Sequence, residues 1–191
     1  MRKPATIVQP LDSNDLRWIA ERIHEQRDAL SAHPQWECRL MDLLAVLVWS
    51  ASVDGRAGNN VKKDGWIPSG KNLAAIHFER APYTEKAFTA LNNGQLTSIE
   101  REHVVPRDTL RAILLQTSTI EDSVRVLKEY SIVALVHESE LKDIRPRSKM
   151  PDGWAANMNW SKTPLPTVLP TPWARYAPRI VPRHHDGRLA Y

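Results

Sequence analysis

Apolar residues recur every three or four positions at Leu16, Ile19, Ala20, Ile23 and Leu30, with Arg17, Glu21, Arg22, Glu25 and Asp28 largely elsewhere. That is the pattern of a helix with one buried face. Asp12 or Ser13 is a good N-cap for it, and His33-Pro34 closes it. A second helix is predicted from about Gln35 to Ser52, with Trp36, Leu40, Leu43, Leu44, Leu47 and Val48 as its stripe. Its later half is apolar nearly all round, as expected of a central core helix. Thr84 predicts a cap for a helix through Leu91, ended by Asn92-Asn93-Gly94. Leu96 to Glu100 reads as a short strand. Pro106 suits a first helical position ahead of Leu110, Ile113 and Leu114. Ser118 and Glu121 form a capping-box pattern before Ile120, Val124 and Leu127. Ile132 to Val136 is the clearest strand, apolar enough to be buried on both faces. Leu141 to Ile144 reads as a short helical turn. The expected core is Trp18, Ile19, Ile23, Leu40, Leu44, Leu47, Val48, Leu110, Leu114, Leu127, Val133 and Leu135.

After Arg145 the periodicity stops. Eight of the 14 prolines lie there, with Trp154, Trp160, Trp173 and Tyr176 among basic residues. The prolines exclude a long helix or a central strand. The tryptophans argue against simple disorder, which is usually aromatic-poor. The expected fold is α+β: a helix-rich single domain with a small sheet and an extended Pro/Trp-rich C-terminal segment. Its divisions are an arm at residues 1–11, the globular domain at 12–144 and the basic extension at 145–191.

Charge sharpens that division. The extension holds eight Lys or Arg against Asp152 and Asp186, a net of +6, while the whole chain is only +4. A slightly acidic body therefore carries a basic tail. Arg145, Arg147, Lys149, Trp154, Trp160, Trp173, Arg175, Tyr176, Arg179 and Arg183 are its candidate binding residues. Cations meet phosphates and aromatic rings stack on exposed bases, so DNA or RNA is one expected partner. A protein partner, or a homo-oligomer held through the extension, is the other.

The single cysteine, Cys38, allows no disulfide within one chain and is read as a core residue. Arg2-Lys3 precedes an apolar run too short for a secretory signal. The apolar stretch from Leu43 to Val53 is too short to span a bilayer. A cytoplasmic protein with no membrane contact is expected.

The candidate chemistry centres on Arg101-Glu102-His103-Val104-Val105-Pro106-Arg107-Asp108. An acid and a His at a strand-to-helix junction can hold a metal or move a proton. Alternatively, Glu102 pairs with Arg101 or Arg107 and His103 packs a junction. The run Glu102 to Pro106 resembles the acidic-His-apolar-apolar-Pro signature of HNH, or His-Me finger, nucleases. The resemblance implies His103 as general base, Glu102 as metal ligand and a divalent metal such as Mg²⁺. That family's motif continues with Asn and then Asn or His, whereas Val104 through Val136 contains neither.

His137, Glu138 and Glu140 form a second cluster. His137 and Glu138 are candidate metal ligands beside Glu102 if the fold brings them together. The other reading makes Glu138 and Glu140 first-turn acids of a helix. Gly65 and Gly70-Lys71 have phosphate-loop spacing, but Trp66, Pro68 and Asn72 point to a surface loop. His184-His185-Asp186 reads as a solvated tail. The functional expectation is a nucleic-acid-associated protein, in the form of an atypical metal-dependent nuclease with a basic aromatic tail. The alternative is a non-catalytic binding or regulatory module, or an assembly subunit.

Overall fold

The computed structural model describes residues 13–32, 82–95, 98–144, 148–176, 180 and 182–183. Within them the protein is α+β. The helix expected at 35–52, the Gly70-Lys71 loop, Cys38, Arg145, Arg147, Arg179 and His184-His185-Asp186 lie outside the described residues.

Helix α1 spans Ser13–Ala32, α2 Glu85–Asn92, α3 Arg107–Gln116 and α4 Ile120–Tyr130. Strand β1 is Ile99–His103 and β2 is Val133–His137. Short 3₁₀ turns follow at Glu138–Glu140 and Pro172–Arg175. The strands pair antiparallel, from Ile99 opposite His137 to His103 opposite Val133. Beyond β2 lies Tyr83, bridged in parallel to Leu135 and antiparallel to Arg183. The two Tyr83–Arg183 backbone bonds are 2.8 and 2.9 Å. Four chain segments thus lie side by side, and the last belongs to the C-terminal region.

Local signals explain the ends of α2. The Thr84 hydroxyl accepts from the Ala87 amide at its start. At its end Gln95 N–H reaches Ala90 O and Gly94 N–H reaches Leu91 O, a Schellman closure with Gly94 at a φ of 72°. That left-handed angle is one that glycine tolerates best.

Other boundaries moved. The strand expected at Leu96–Glu100 is Ile99–His103, because β2 supplies its register. Glu102 and His103 are therefore the last residues of a strand, not of a loop. Pro106 is the cap residue of α3 rather than its first helical residue. The cap of α4 is Thr119, which accepts from the Asp122 amide, while the Ser118 hydroxyl donates to Ser161 O.

Two apolar clusters sandwich the sheet. Ile99, Val133 and Leu135 face the helices, joining Ile19, Ile23, Leu91, Leu110, Leu114 and Leu127. Ala134 and Val136 face the other way, onto Val104, Ile144, Trp173, Tyr176 and Ile180. The alternation along β2 feeds both layers, so its positions from Val133 to Val136 are all buried. Trp18 corrects the expected core: it is 54% exposed, with the Arg22 guanidinium 5.7 Å from its ring. It lies on the side of α1 opposite the Leu16–Ile19–Ile23 face.

The C-terminal segment is irregular, as its prolines require, yet it belongs to both clusters. Met150, Trp160 and Leu165 pack into the helical core, and Trp173, Tyr176 and Ile180 cover the back of the sheet. The change at residue 145 is one of composition; packing runs straight across it.

Candidate functional site

Pleat alternation decides where the Glu102-His103 pair can act. Adjacent residues on a strand point to opposite faces. Glu102, opposite Ala134, faces the C-terminal segment, and His103, opposite Val133, faces the helical side.

Glu102 pairs with Arg175, whose Nη2 donates to Oε1 at 2.5 Å. Arg175 Nη1 also donates to the carbonyls of His103 at 2.8 Å and Val104 at 3.3 Å. The Arg175 side chain is 0% exposed. A planar guanidinium suits this role because its donors leave in fixed directions. The Tyr176 ring closes the same corner. Its hydroxyl finds no hydrogen-bond partner among the described residues. Burial, then the nearby Glu102 charge, pushes this phenol well above its ordinary value, so it stays protonated.

His103 lines a surface pocket of about 210 Å³ with Glu102, Pro106, Arg107, Asp108 and Ser148. This pocket sits where β1 ends and α3 begins.

The second cluster lies at the other end of the ladder. His137 caps the 3₁₀ turn: its Nδ1 accepts from the Ser139 amide at 3.2 Å, and Glu140 Oε2 accepts from the His137 amide at 3.2 Å. The helix-start reading of this cluster is what the structure holds. Glu140 is buried and also accepts from the Thr84 hydroxyl at 2.5 Å, which ties this turn to the start of α2.

Glu102 and His137 are not brought together. Glu102 sits opposite Ala134, three positions along β2 from His137 and on the other face. Three strand residues span about 10 Å, too far for ligands whose metal bonds are about 2.0–2.6 Å. Among the described residues no three His, Cys, Asp or Glu side chains are grouped to hold a metal. Glu138 is exposed on the turn.

The aromatic residues expected to grip a partner are largely interior. Trp160, Trp173, Arg175 and Tyr176 are buried, and a buried ring offers no face to a base. Trp154 is half-buried, donates Nε1–H to Thr171 O at 2.7 Å and meets the Tyr130 ring edge-on. Lys149 is exposed and pairs with Asp152 at 3.0 Å. Arg183 is exposed and lines a larger cleft.

That cleft has a volume of about 680 Å³. Its walls are Glu85, Lys86, Thr89, Ala90 and Gln95 from α2 and its end, His137 and Glu140 from the β2 turn, and Ile180 and Arg183. Sequence reasoning passed over Lys86 and Gln95 because nothing in their spacing marks them. Glu140 was named with the His137 cluster as a first-turn acid, and it completes a capping box with His137.

Among the described residues no helix is long and apolar enough to cross a membrane. Comparison with protein-family models, characterised proteins and solved structures finds no match to this chain.

Proposed function

We propose that this protein is a nucleic-acid-associated binding module whose contact surface is the cleft between α2 and the end of β2. The observation that carries the reading is the meeting of Arg183 with Lys86, Gln95 and His137 around one cleft of about 680 Å³. That size lies in the range of small-ligand sites, about 300–1,000 Å³. Lys86 and Arg183 supply cations for phosphate oxygens. Gln95 offers both a donor and an acceptor, and Glu85 accepts, which are the groups that base edges require. His137 Nδ1 accepts from the Ser139 amide. A neutral ring held that way carries its proton on Nε2 and is a donor there. The basic balance of the chain, +4 overall, favours the same class of ligand.

Fluorescence anisotropy with short single-stranded RNA and DNA tests this. Binding should weaken as salt rises. Lys86→Ala and Arg183→Ala should each weaken it and lower the salt slope by about one. Binding that ignores both substitutions, or no binding to either polymer, sinks the reading.

A second reading keeps the nuclease chemistry. It is favoured by the placement of His103 in its own pocket beside Arg107. Here His103 would take the proton of an attacking water, and Arg107 would face the phosphate. Glu102 is committed to Arg175 and does not converge with His137, so no step is assigned to a metal. Cleavage assays of wild type and His103→Ala, with and without Mg²⁺, decide it. Equal cleavage by both proteins removes His103 from any mechanism.

A further inference from the structure

Glu140 lines the larger cleft, yet the residue is only 7% exposed. Its Oε2 accepts from both the His137 amide and the Thr84 hydroxyl. These two bonds tie the carboxylate to the end of β2 and the start of α2, and so fix its direction. Among the described residues no hydrogen bond falls on its Oε1, and that oxygen is not sealed from the surface. A buried carboxylate oxygen is costly until something donates to it. His137, at the start of the same turn, lines the cleft as well. It supplies a donor, Nε2–H, beside the Glu140 acceptor.

On the nucleic-acid reading of this cleft, on which the inference rests, we propose that Glu140 selects the base and admits cytosine or adenine over uracil or thymine. The phosphate belongs with Lys86 and Arg183 on the same walls, because a carboxylate repels it. What is left for Oε1 is an N–H of the base. Cytosine and adenine each present an amino group beside a ring nitrogen that accepts. The amino group donates to Glu140 Oε1, and the ring nitrogen accepts from His137 Nε2–H. Uracil and thymine present the reverse, a carbonyl oxygen beside a ring N–H. They set oxygen against oxygen at Glu140 and N–H against N–H at His137. A site built around a hydrogen bond rejects the analogue that lacks it.

The test is fluorescence anisotropy of the full chain with oligo(C) and oligo(U) RNA of equal length, near neutral pH. The two polymers share sugar and phosphate and differ only at the base edge. Oligo(C) should bind at least about tenfold more tightly. Glu140→Gln keeps an oxygen for the His137 and Thr84 bonds and turns an amide N–H toward the cleft, so it should reverse the preference to oligo(U). Should that variant fail to fold, the wild type is measured with RNA whose cytosine amino groups are dimethylated. With no amino hydrogen to donate, that RNA should bind no better than oligo(U). Three results overturn the inference. Equal wild-type affinity for the two polymers, with the salt dependence intact, leaves the nucleic-acid reading standing and removes base selection, Oε1 then meeting a sugar hydroxyl or solvent. A preference for oligo(C) that survives Glu140→Gln or dimethylation has its origin elsewhere. No binding to either polymer removes the nucleic-acid reading and the base selection together.

Discussion

In α4 the buried residues Val126, Leu127 and Tyr130 recur at helical spacing, and the helix satisfies its own backbone. Between residues 148 and 176 the buried Met150, Trp160, Leu165 and Trp173 follow no period. There the backbone bonds fall to side chains of the body. Arg125 donates to the carbonyls of Leu165 at 3.2 Å and Thr167 at 2.5 Å. Tyr130 Oη donates to Pro170 O at 3.0 Å, and Asp122 Oδ1 accepts from the Leu165 amide at 3.1 Å. Burial demands partners for peptide groups whether or not the chain is regular. A helix meets that demand locally, so its pattern can be read from sequence. The C-terminal segment meets it through residues some 40 positions away, so its pattern cannot.

Deleting residues 145–191 strikes this comparison hardest. The deletion removes Met150, Trp160, Leu165, Trp173, Tyr176 and Ile180 from the core. Each buried side chain of this size contributes about 1.5–3 kcal/mol, against a typical total stability of about 5–15 kcal/mol. The truncated chain should lose its cooperative thermal transition in circular dichroism. A truncated body that melts sharply would mean that the helices stand alone.

Arg175→Met comes next. It strands the Glu102 carboxylate in a largely buried site, which costs about 3–5 kcal/mol. Urea titration measures the loss. Pairing the substitution with Glu102→Gln should recover much of it, and a double variant no better than Arg175→Met would show that the ion pair is not the cause.

Asp122 serves both regions, lying near the α4 cap and holding Leu165. Burial works against its ionised form, but the Leu165 amide and the Thr163 and Thr119 hydroxyls outweigh it and hold the carboxyl below its ordinary 3.8. A depressed pKa means that the unfolded chain binds the proton more readily. The stabilisation is therefore present above pH 3.8 and is lost as pH falls below that value through the folded pKa. Asp122→Ala should cost about 1–2 kcal/mol near neutrality and show a flatter acid limb in melts run against pH. An unchanged acid limb would remove Asp122 from the acid response.

His24 gives a smaller effect in a different pH range. Burial, then the charge of Arg27, holds its imidazole below the ordinary 6.5. Its Nε2 lies 2.8 Å from Ser123 Oγ. The unfolded chain takes up the proton first, so stability should fall as pH drops below 6.5. His24→Gln should flatten that slope, and an equal slope in both proteins counts against His24.

The smallest change is expected at Trp18. Its ring is exposed, and the Arg22 guanidinium lies 5.7 Å from its centroid. Trp18→Ala should cost no more than about 1 kcal/mol. A loss as large as that of Arg175→Met would place Trp18 in a core.

The periodic residues of α1, α3 and α4, the apolar run of β2 and the Asn92-Asn93-Gly94 stop were determined by sequence alone, because helix faces, strand burial and caps depend on neighbours a few positions away. The helix-start role of the His137 cluster was legible for the same reason. Which strand paired with β2, and hence that Glu102 and His103 close β1, depended on a ladder between positions 30 to 38 residues apart. Tertiary structure alone gave Glu102 its partner in Arg175, 73 positions along the chain. It also turned Trp160, Trp173 and Tyr176 inward and placed Arg183 beside Lys86. Composition records how many rings and cations a segment has. Whether they face water or core is settled by which surfaces remain uncovered once the regular elements have packed: here the back of the sheet for Trp173 and Tyr176, and the helical core beside Tyr130 for Trp160.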